Sequence, residues 1–403
     1  MTSIYGPVRD WATDFDHADP EYNANAPQVW AELRATCPIA HTDRYAGAWL
    51  PVTHEVVSQI AYDTEHFTSR SVLVTPFRPI IEAPIGVAPP ISSDPPFHHD
   101  ARRLLLPAFS PKVIDPWEKD IRELCRQLLR DMGDADVVDA AVQYAQHIPV
   151  NVIALMLGFP VEDADVFRGF VHTVLEGVNV ELEQRMDTFV RLDEYIAQQV
   201  QDHIANPRDD LTSFLLGAEI YGQPLSPEHV RGTIILLLLA GIDTTWSAIG
   251  SSLLHLASHR SDRERLVAEP ALIPTAIEEF LRAYAPVTMA RLVKEDVEIG
   301  GCPMKVDEWV LLPFPAANVD PAAFDRADEV IIDRAENRHL AFGLGIHRCL
   351  GSNLARLEVR VAVEEFLAHF PDFELESGAD DGGVEWSQGQ IRGPRRLPVR
   401  INR

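Results

Sequence analysis

Apolar residues recur every three to four positions along most of the chain, so the pattern predicts helices first and strands second. Helical spacing marks residues 26–36, 112–131, 140–158, 161–206 with one interruption, and 209–219. The longest candidate runs from Ser226 to His255. Another helix carries Glu278 to Arg282 and stops before Pro286, since proline removes a helical donor. Leu350, Leu354, Leu357 and Val361 share a face of a further one. Asp94-Pro95-Pro96 reads as a helix start, with Asp94 as N-cap. Strand character appears around Trp49–Val52. From Ser71 to Ser93 the chain is rich in proline and apolar residues but has no period. That predicts a long irregular loop, either functional or a loosely packed surface segment. Few strands interleave with the helices, so the expected fold class is mainly α with a small β region, not a doubly wound parallel sheet. With no internal repeat or linker, one domain over residues 1–403 is expected.

Composition narrows the function classes. Apolar residues make up 46% and charged ones 24% of the 403, enough for a substantial core. The net charge of −26 argues against nucleic acid or an anionic membrane as partner. Cys37, Cys125, Cys302 and Cys349 are scattered without a Cys-x-x-Cys pair, which suits a reducing cytoplasm and offers no disulfide framework. The polar, acidic start lacks a signal peptide's apolar stretch. The most apolar run, Ile234 to Leu239, is interrupted by Asp243, short of a membrane span. A soluble, cytoplasmic protein is expected.

Chemistry concentrates where local consistency breaks. The middle of the longest helix reads Leu236-Leu237-Leu238-Leu239-Ala240-Gly241-Ile242-Asp243-Thr244-Thr245. The Thr244 hydroxyl can bond to the Ala240 carbonyl four residues back and loosen the turn; a buried helix with a tolerated glycine is the plainer alternative. Near the C-terminus, Phe342-Gly343-Leu344-Gly345-Ile346-His347-Arg348-Cys349-Leu350-Gly351 brings a cysteine to a helix start. Amides and dipole there favour a thiolate, and a thiolate is a good axial ligand for haem iron. A free cysteine is more often a small buried hydrophobe, so the whole string carries the weight. His98 and Arg102, four apart, share a helix face, as two exposed polar residues would.

Phe342, Gly345, His347, Cys349 and Gly351 stand where the haem-binding signature of the cytochrome P450 superfamily places them, and the chain resembles that family over most of its length. The resemblance implies the P450 fold, with haem b (iron protoporphyrin IX) between the long central helix and the Cys-loop helix. Cys349 would be the metal ligand, with Phe342, Gly343, His347, Gly351 and Ala240 against the haem. His98, Arg102, Arg291 and His347 would serve its two propionates. Asp243 and Thr244 match the family's acid–alcohol pair: Thr244 would orient dioxygen and water, and Asp243 would relay protons inward. Leu236, Ala240, Val287 and Met289, with parts of 71–93 and the region from Phe170 to Val178, would line the substrate pocket. Their apolar character suggests a largely nonpolar substrate. Glu279 and Arg282 match the family's Glu-x-x-Arg pair. Its usual third arginine falls on Glu329 here, leaving Arg326 and Arg334 as substitutes. Gln390 to Val399 resembles the closing β-hairpin.

The implied activity is that of a soluble, bacterial-type haem-thiolate monooxygenase working on a small organic substrate and dioxygen. With no fused reductase expected, electrons would come from NAD(P)H through a separate ferredoxin reductase and ferredoxin. Docking would use Arg103, Lys112, Arg348, Arg356 and Arg360, on a monomer. Desaturation, coupling or nitration on the same scaffold is the first alternative. A non-catalytic haem sensor is remote, having no need of Asp243 and Thr244.

Overall fold

Helix dominates, as the periodicity requires. The computed structural model describes residues 5–74, 87–176, 182–376, 383–387 and 389–403. The first seven of its α-helices are α1 (Pro20–Thr36), α2 (His54–Tyr62), α3 (Phe97–Leu105), α4 (Pro111–Ile114), α5 (Glu118–Asp131), α6 (His147–Leu157) and α7 (Ala164–Val171). These are followed by α8 (Leu182–Ala205), α9 (Leu211–Leu216), α10 (Pro227–Ser258), α11 (Arg260–Ala268), α12 (Ile273–Ala283), α13 (Phe314–Asn318) and α14 (Ser352–His369).

Among the described residues the strands are short. The first seven are β1 (Ile39–Thr42), β2 (Ala48–Pro51), β3 (Phe67–Thr68), β4 (Val137–Asp139), β5 (Glu219–Ile220), β6 (Gln223–Pro224) and β7 (Thr288–Val293). Then come β8 (Val297–Ile299), β9 (Cys302–Met304), β10 (Trp309–Pro313), β11 (Phe373–Leu375), β12 (Glu385–Trp386), β13 (Pro394–Arg396) and β14 (Pro398–Ile401).

The central helix α10 starts on Ser226, whose hydroxyl accepts from the His229 amide at 3.2 Å, with Pro227 in the first turn. Its 32 residues make a rod about 48 Å long. Ile249, Leu253 and Leu256 are fully buried, and each such side chain contributes about 1.5–3 kcal/mol. α10 packs against α6 and α14, and α14 against α5. The Tyr144 hydroxyl, donating to the Ala362 carbonyl at 2.8 Å, ties the segment before α6 to α14. By length and composition alone α10 could cross a membrane, with a mean hydropathy of 1.6 over its most apolar window. The expectation that Asp243 cuts this run too short is therefore corrected. What makes α10 a core helix is that 67% of that window is buried within the protein.

A five-stranded sheet of order β1-β2-β10-β7-β3 lies against α1 and α2. Its pairings are antiparallel except β2 with β10. Register is set by pairs such as Val310 with Arg291 and Leu312 with Met289, so Arg291 and Met289 fall on one face of β7.

Several predicted boundaries moved for physical reasons. α1 begins at Pro20 rather than near residue 26, because Asp19 caps it and the chain kinks at Asn25 (φ −117°, ψ 19°), two residues before Pro27. α3 begins at Phe97, and Asp94 is not its side-chain cap. That carboxylate instead accepts from the Ser69 amide at 2.9 Å and from the Thr68 hydroxyl. The helix predicted over 209–219 ends at Leu216, where Glu219 to Pro224 turn into the β5–β6 hairpin. The expected closing hairpin divides: β13 pairs with β12, while β14 leaves to pair with β11 and β4.

Of the irregular segment, the described parts 71–74 and 87–93 hold neither helix nor strand; residues 75–86 lie outside the described residues. Its end rests on α10, where a Cβ on Gly232 would fall 2.5 Å from the Val87 carbonyl oxygen.

Candidate functional site

The loop Phe342–Gly351 folds back on itself. The Cys349 amide donates to the Phe342 carbonyl at 2.7 Å, and the Gly343 amide to Leu340 at 2.8 Å. Gly343 and Gly345 both sit in left-handed conformation, at φ +65° and +64°. A Cβ on Gly345 would also fall 2.6 Å from the Ala61 carbonyl oxygen, so the loop can approach α2 only with glycine there. The helix starts at Ser352, with Gly351 as N-cap, later than the sequence implies.

The expectation that the helix end favours a Cys349 thiolate is corrected in sign. Burial pushes this thiol up, opposed only in part by the Gly351 amide and by Arg102, Arg348 and Arg356. A metal cation bound to the sulfur would deprotonate such a thiol outright.

His98, Arg291 and His347 come together from α3, β7 and the loop. The His98 and His347 rings lie 4.4 Å apart, and His347 Nε2 shares a 2.8 Å hydrogen bond with Ser69 Oγ. His98 is fully buried, and among the described residues neither ring nitrogen has a hydrogen-bond partner. Burial, then Arg102, pull its pKa down to about 4, and burial holds His347 well below the usual histidine range. Arg291 is buried too; its guanidinium donates to the Ala290 carbonyl at 2.7 Å, and burial lowers it to about 10. Buried donors without carboxylates are what the two acid groups of haem would satisfy, so this cluster fits that cofactor. Arg102 also reaches the loop: its Nη2 donates to the Arg348 carbonyl, tying α3 to the residue before Cys349.

On α10, Leu236, Ala240 and Thr244 lie four apart on one face; Ala240 is exposed and the other two half-buried. Val287 and Met289 are half-buried as well, whereas Val178 lies outside the described residues. The Thr244 hydroxyl donates to the Ala240 carbonyl at 2.8 Å, as the sequence implies. The helix nevertheless runs on without a break, so the expected loosened turn is no interruption. Asp243 is fully buried, and its Oδ1 accepts from Arg395 Nη2 at 2.6 Å. Sequence reasoning missed Arg395: it lies 152 positions away, and its only signal is that a buried acid needs a cation.

Behind the loop, the buried Glu279 and Arg282 form a two-pronged pair, with both contacts at 2.8 Å. The third arginine is Arg334, donating to Glu279 Oε2 at 2.9 Å. Glu279 also accepts from the Ile331 amide at 2.8 Å and from Asn337 Nδ2 at 3.1 Å. Glu329 gives only its carbonyl to Arg282, at 2.7 Å, while its side chain meets the exposed Arg326.

Glu278 joins α12 to α14 through Arg356 (2.6 and 2.9 Å), whose guanidinium lies 4.3 Å from the Phe342 ring centroid. Despite burial, hydrogen bonds from His339 and Arg356 hold Glu278 down to about 2. Of the basic residues expected for docking, Arg356 pairs with Glu278, Arg360 with Glu118 and Glu364, and Arg103 with Asp100 at 3.1 Å, while Arg103, Lys112 and Arg348 are exposed.

A family model described as Cytochrome P450 matches residues 156–382. The polyketide biosynthesis cytochrome P450 PksS of Bacillus subtilis (strain 168) is 34% identical over 78% of either chain. The mycinamicin IV hydroxylase/epoxidase of Micromonospora griseorubida is 32% identical over 92% of this chain and 94% of its own. The crystal structure of CYP109E1 from Bacillus megaterium in complex with testosterone superposes with a TM-score of 0.87 at 30% identity, over 95% of this chain and 99% of that one. With a loop that presents one cysteine and a buried cluster of carboxylate-binding donors, the chain belongs to the cytochrome P450 family and is a haem-dependent monooxygenase.

Proposed function

We propose that the enzyme inserts one atom of dioxygen into a largely apolar small organic molecule, acting in the cytoplasm as one unit over residues 1–403. NAD(P)H would supply the electrons through a separate ferredoxin reductase and ferredoxin. The observation that carries this reading is the pairing on α10 of a buried acid, Asp243, with a hydroxyl, Thr244, on the face of Leu236 and Ala240. Relatives named mycinamicin IV hydroxylase/epoxidase and steroid C26-monooxygenase support oxygen insertion into an organic molecule.

Bound haem supplies the iron at which dioxygen is activated. Cys349 would hold that iron as a thiolate, whose negative charge would tune its chemistry. His98, Arg102, Arg291 and His347 would take the two carboxylates, orienting the flat ring by charge-assisted bonds. Thr244 would hold a water and the oxygen substrate in place through its hydroxyl. Asp243 would take protons from the solvent side and pass them inward, because cleavage consumes two. Leu236, Ala240, Val287 and Met289 would orient the substrate and exclude bulk water. Arg103, Lys112 and Arg348 would receive the acidic electron donor.

The test is turnover of the haem-loaded protein with a surrogate ferredoxin, its reductase and NADPH under 18O2. Substrates would first be found in a compound screen by their shift of the Soret band. One labelled oxygen in the product supports the reading. A desaturated, coupled or nitrated product without label, or no NADPH-dependent product, overturns it.

A further inference from the structure

Asp243 lies fully buried in the middle of α10, and an arginine from the far end of the chain meets it. Arg395, on β13, donates to Asp243 Oδ1 at 2.6 Å and to Ser247 Oγ at 3.0 Å. Its guanidinium also lies 4.2 Å from the Trp246 ring centroid. One cation thus engages three residues within about one helical turn of α10, two by hydrogen bonds and one by its ring face.

The backbone that carries Arg395 is seated closely on the same helix. A Cβ on Gly393 would fall 2.3 Å from Ser247 Cβ, and one on Gly250 would fall 2.8 Å from Pro394 Cγ. The Arg395 side chain is 11% exposed against 0% for Asp243, so it bridges the acid towards the surface.

Resting on the reading that Asp243 passes protons inward, we propose that Arg395 is the positioning residue of that acid. It holds the Asp243 carboxylate in one orientation at the solvent end of the proton route. A buried carboxylate is costly to leave short of charge-assisted hydrogen bonds, and losing the one from Arg395 would loosen its orientation. Arg395 itself carries no proton across, because a guanidinium does not deprotonate in a protein. For each of the two protons that cleavage consumes, the Asp243 carboxyl gives one inward and regains one from the solvent side, and Arg395 is left unchanged. The planar fork reaches both Asp243 and Ser247 while stacking on Trp246, a combination that lysine reproduces only in charge.

The haem-loaded holoenzyme tests this with Arg395→Ala, Arg395→Lys, Asp243→Asn and the double variant Asp243→Asn/Arg395→Ala. In Arg395→Ala, the substrate concentration that half-saturates the Soret shift should stay within about twofold, while kcat falls about tenfold. The solvent isotope effect on kcat should rise towards that of Asp243→Asn, and Arg395→Lys should recover part of the loss. In the Asp243→Asn background, removing Arg395 should change kcat by less than about twofold. An unchanged kcat and isotope effect in Arg395→Ala overturns the proposal, as does the same tenfold loss in both backgrounds.

A separate readout needs no turnover. In urea unfolding the two single substitutions should be strongly non-additive with the double, and additivity would overturn the proposed contact. Failure of the oxygenation reading itself would show instead as absence of labelled product from the wild-type enzyme.

Discussion

Replacing Arg334 by alanine should weaken the region behind the cysteine loop far more than the same change at Arg326, although both were open choices from the sequence. Arg334 gives Nε to the fully buried Glu279 at 2.9 Å and Nη1 to the Asp325 carbonyl at 2.7 Å; Nη2 reaches the Arg326 and Glu329 carbonyls at 3.2 and 3.3 Å. Its side chain is 8% exposed, so solvent cannot replace these bonds. Removing one partner of a buried pair costs about 3–5 kcal/mol when the other is left uncompensated. Here Arg282 still grips Glu279 with two contacts of 2.8 Å. The loss is then closer to that of hydrogen bonds to a charged group, about 2–3 kcal/mol. For a chain of 403 residues this is a fall in Tm of about 2–4 °C. Arg326, 56% exposed with Glu329 at 3.3 Å, should change stability by less than about 0.5 kcal/mol. Urea unfolding of the holoenzyme, followed by circular dichroism and by the Soret band, measures both. Equal losses for the two variants would refute the assignment of Arg334 as the third partner.

Cys349→His should abolish the red-shifted Soret band of the ferrous carbon monoxide complex, and a surviving band would mean that another residue holds the iron. Thr244→Ala should keep substrate affinity and reduction but divert oxygen to hydrogen peroxide; product per NADPH should fall severalfold, and an unchanged yield would refute the role of the hydroxyl. Glu278 has a folded pKa of about 2 against an ordinary 4.5, so it contributes stability that is present above pH 4.5 and lost as pH falls through 2. The shift corresponds to about 3.4 kcal/mol at most, and with the carboxylate nearly a third exposed, screening leaves about 1.5 kcal/mol. Glu278→Gln should therefore be destabilised by that amount at pH 7, with the gap to wild type closing progressively below pH 4.5, read by urea unfolding across the range.

The parts of this enzyme written in the sequence are those set by local rules. Helical period placed α10 and α14, because one buried face repeats every three to four residues. The Thr244 bond to Ala240 followed from spacing, since a hydroxyl always reaches the carbonyl one turn back. Gly343 and Gly345 obey a local rule as well, because few other residues tolerate the left-handed conformation that both adopt. Charge partners were not legible in the same way. The sequence offered Arg326 and Arg334 equally to Glu279, and only the path of the chain after α13 brings Arg334 inward. It offered nothing for Asp243, whose cation arrives on β13, because ion pairs depend on distance in space and not along the chain. Cys349 shows the division most clearly. Its position in the loop is local and was predicted; its pKa depends on how much protein surrounds the sulfur, and burial reversed the sign that the helix end alone suggested.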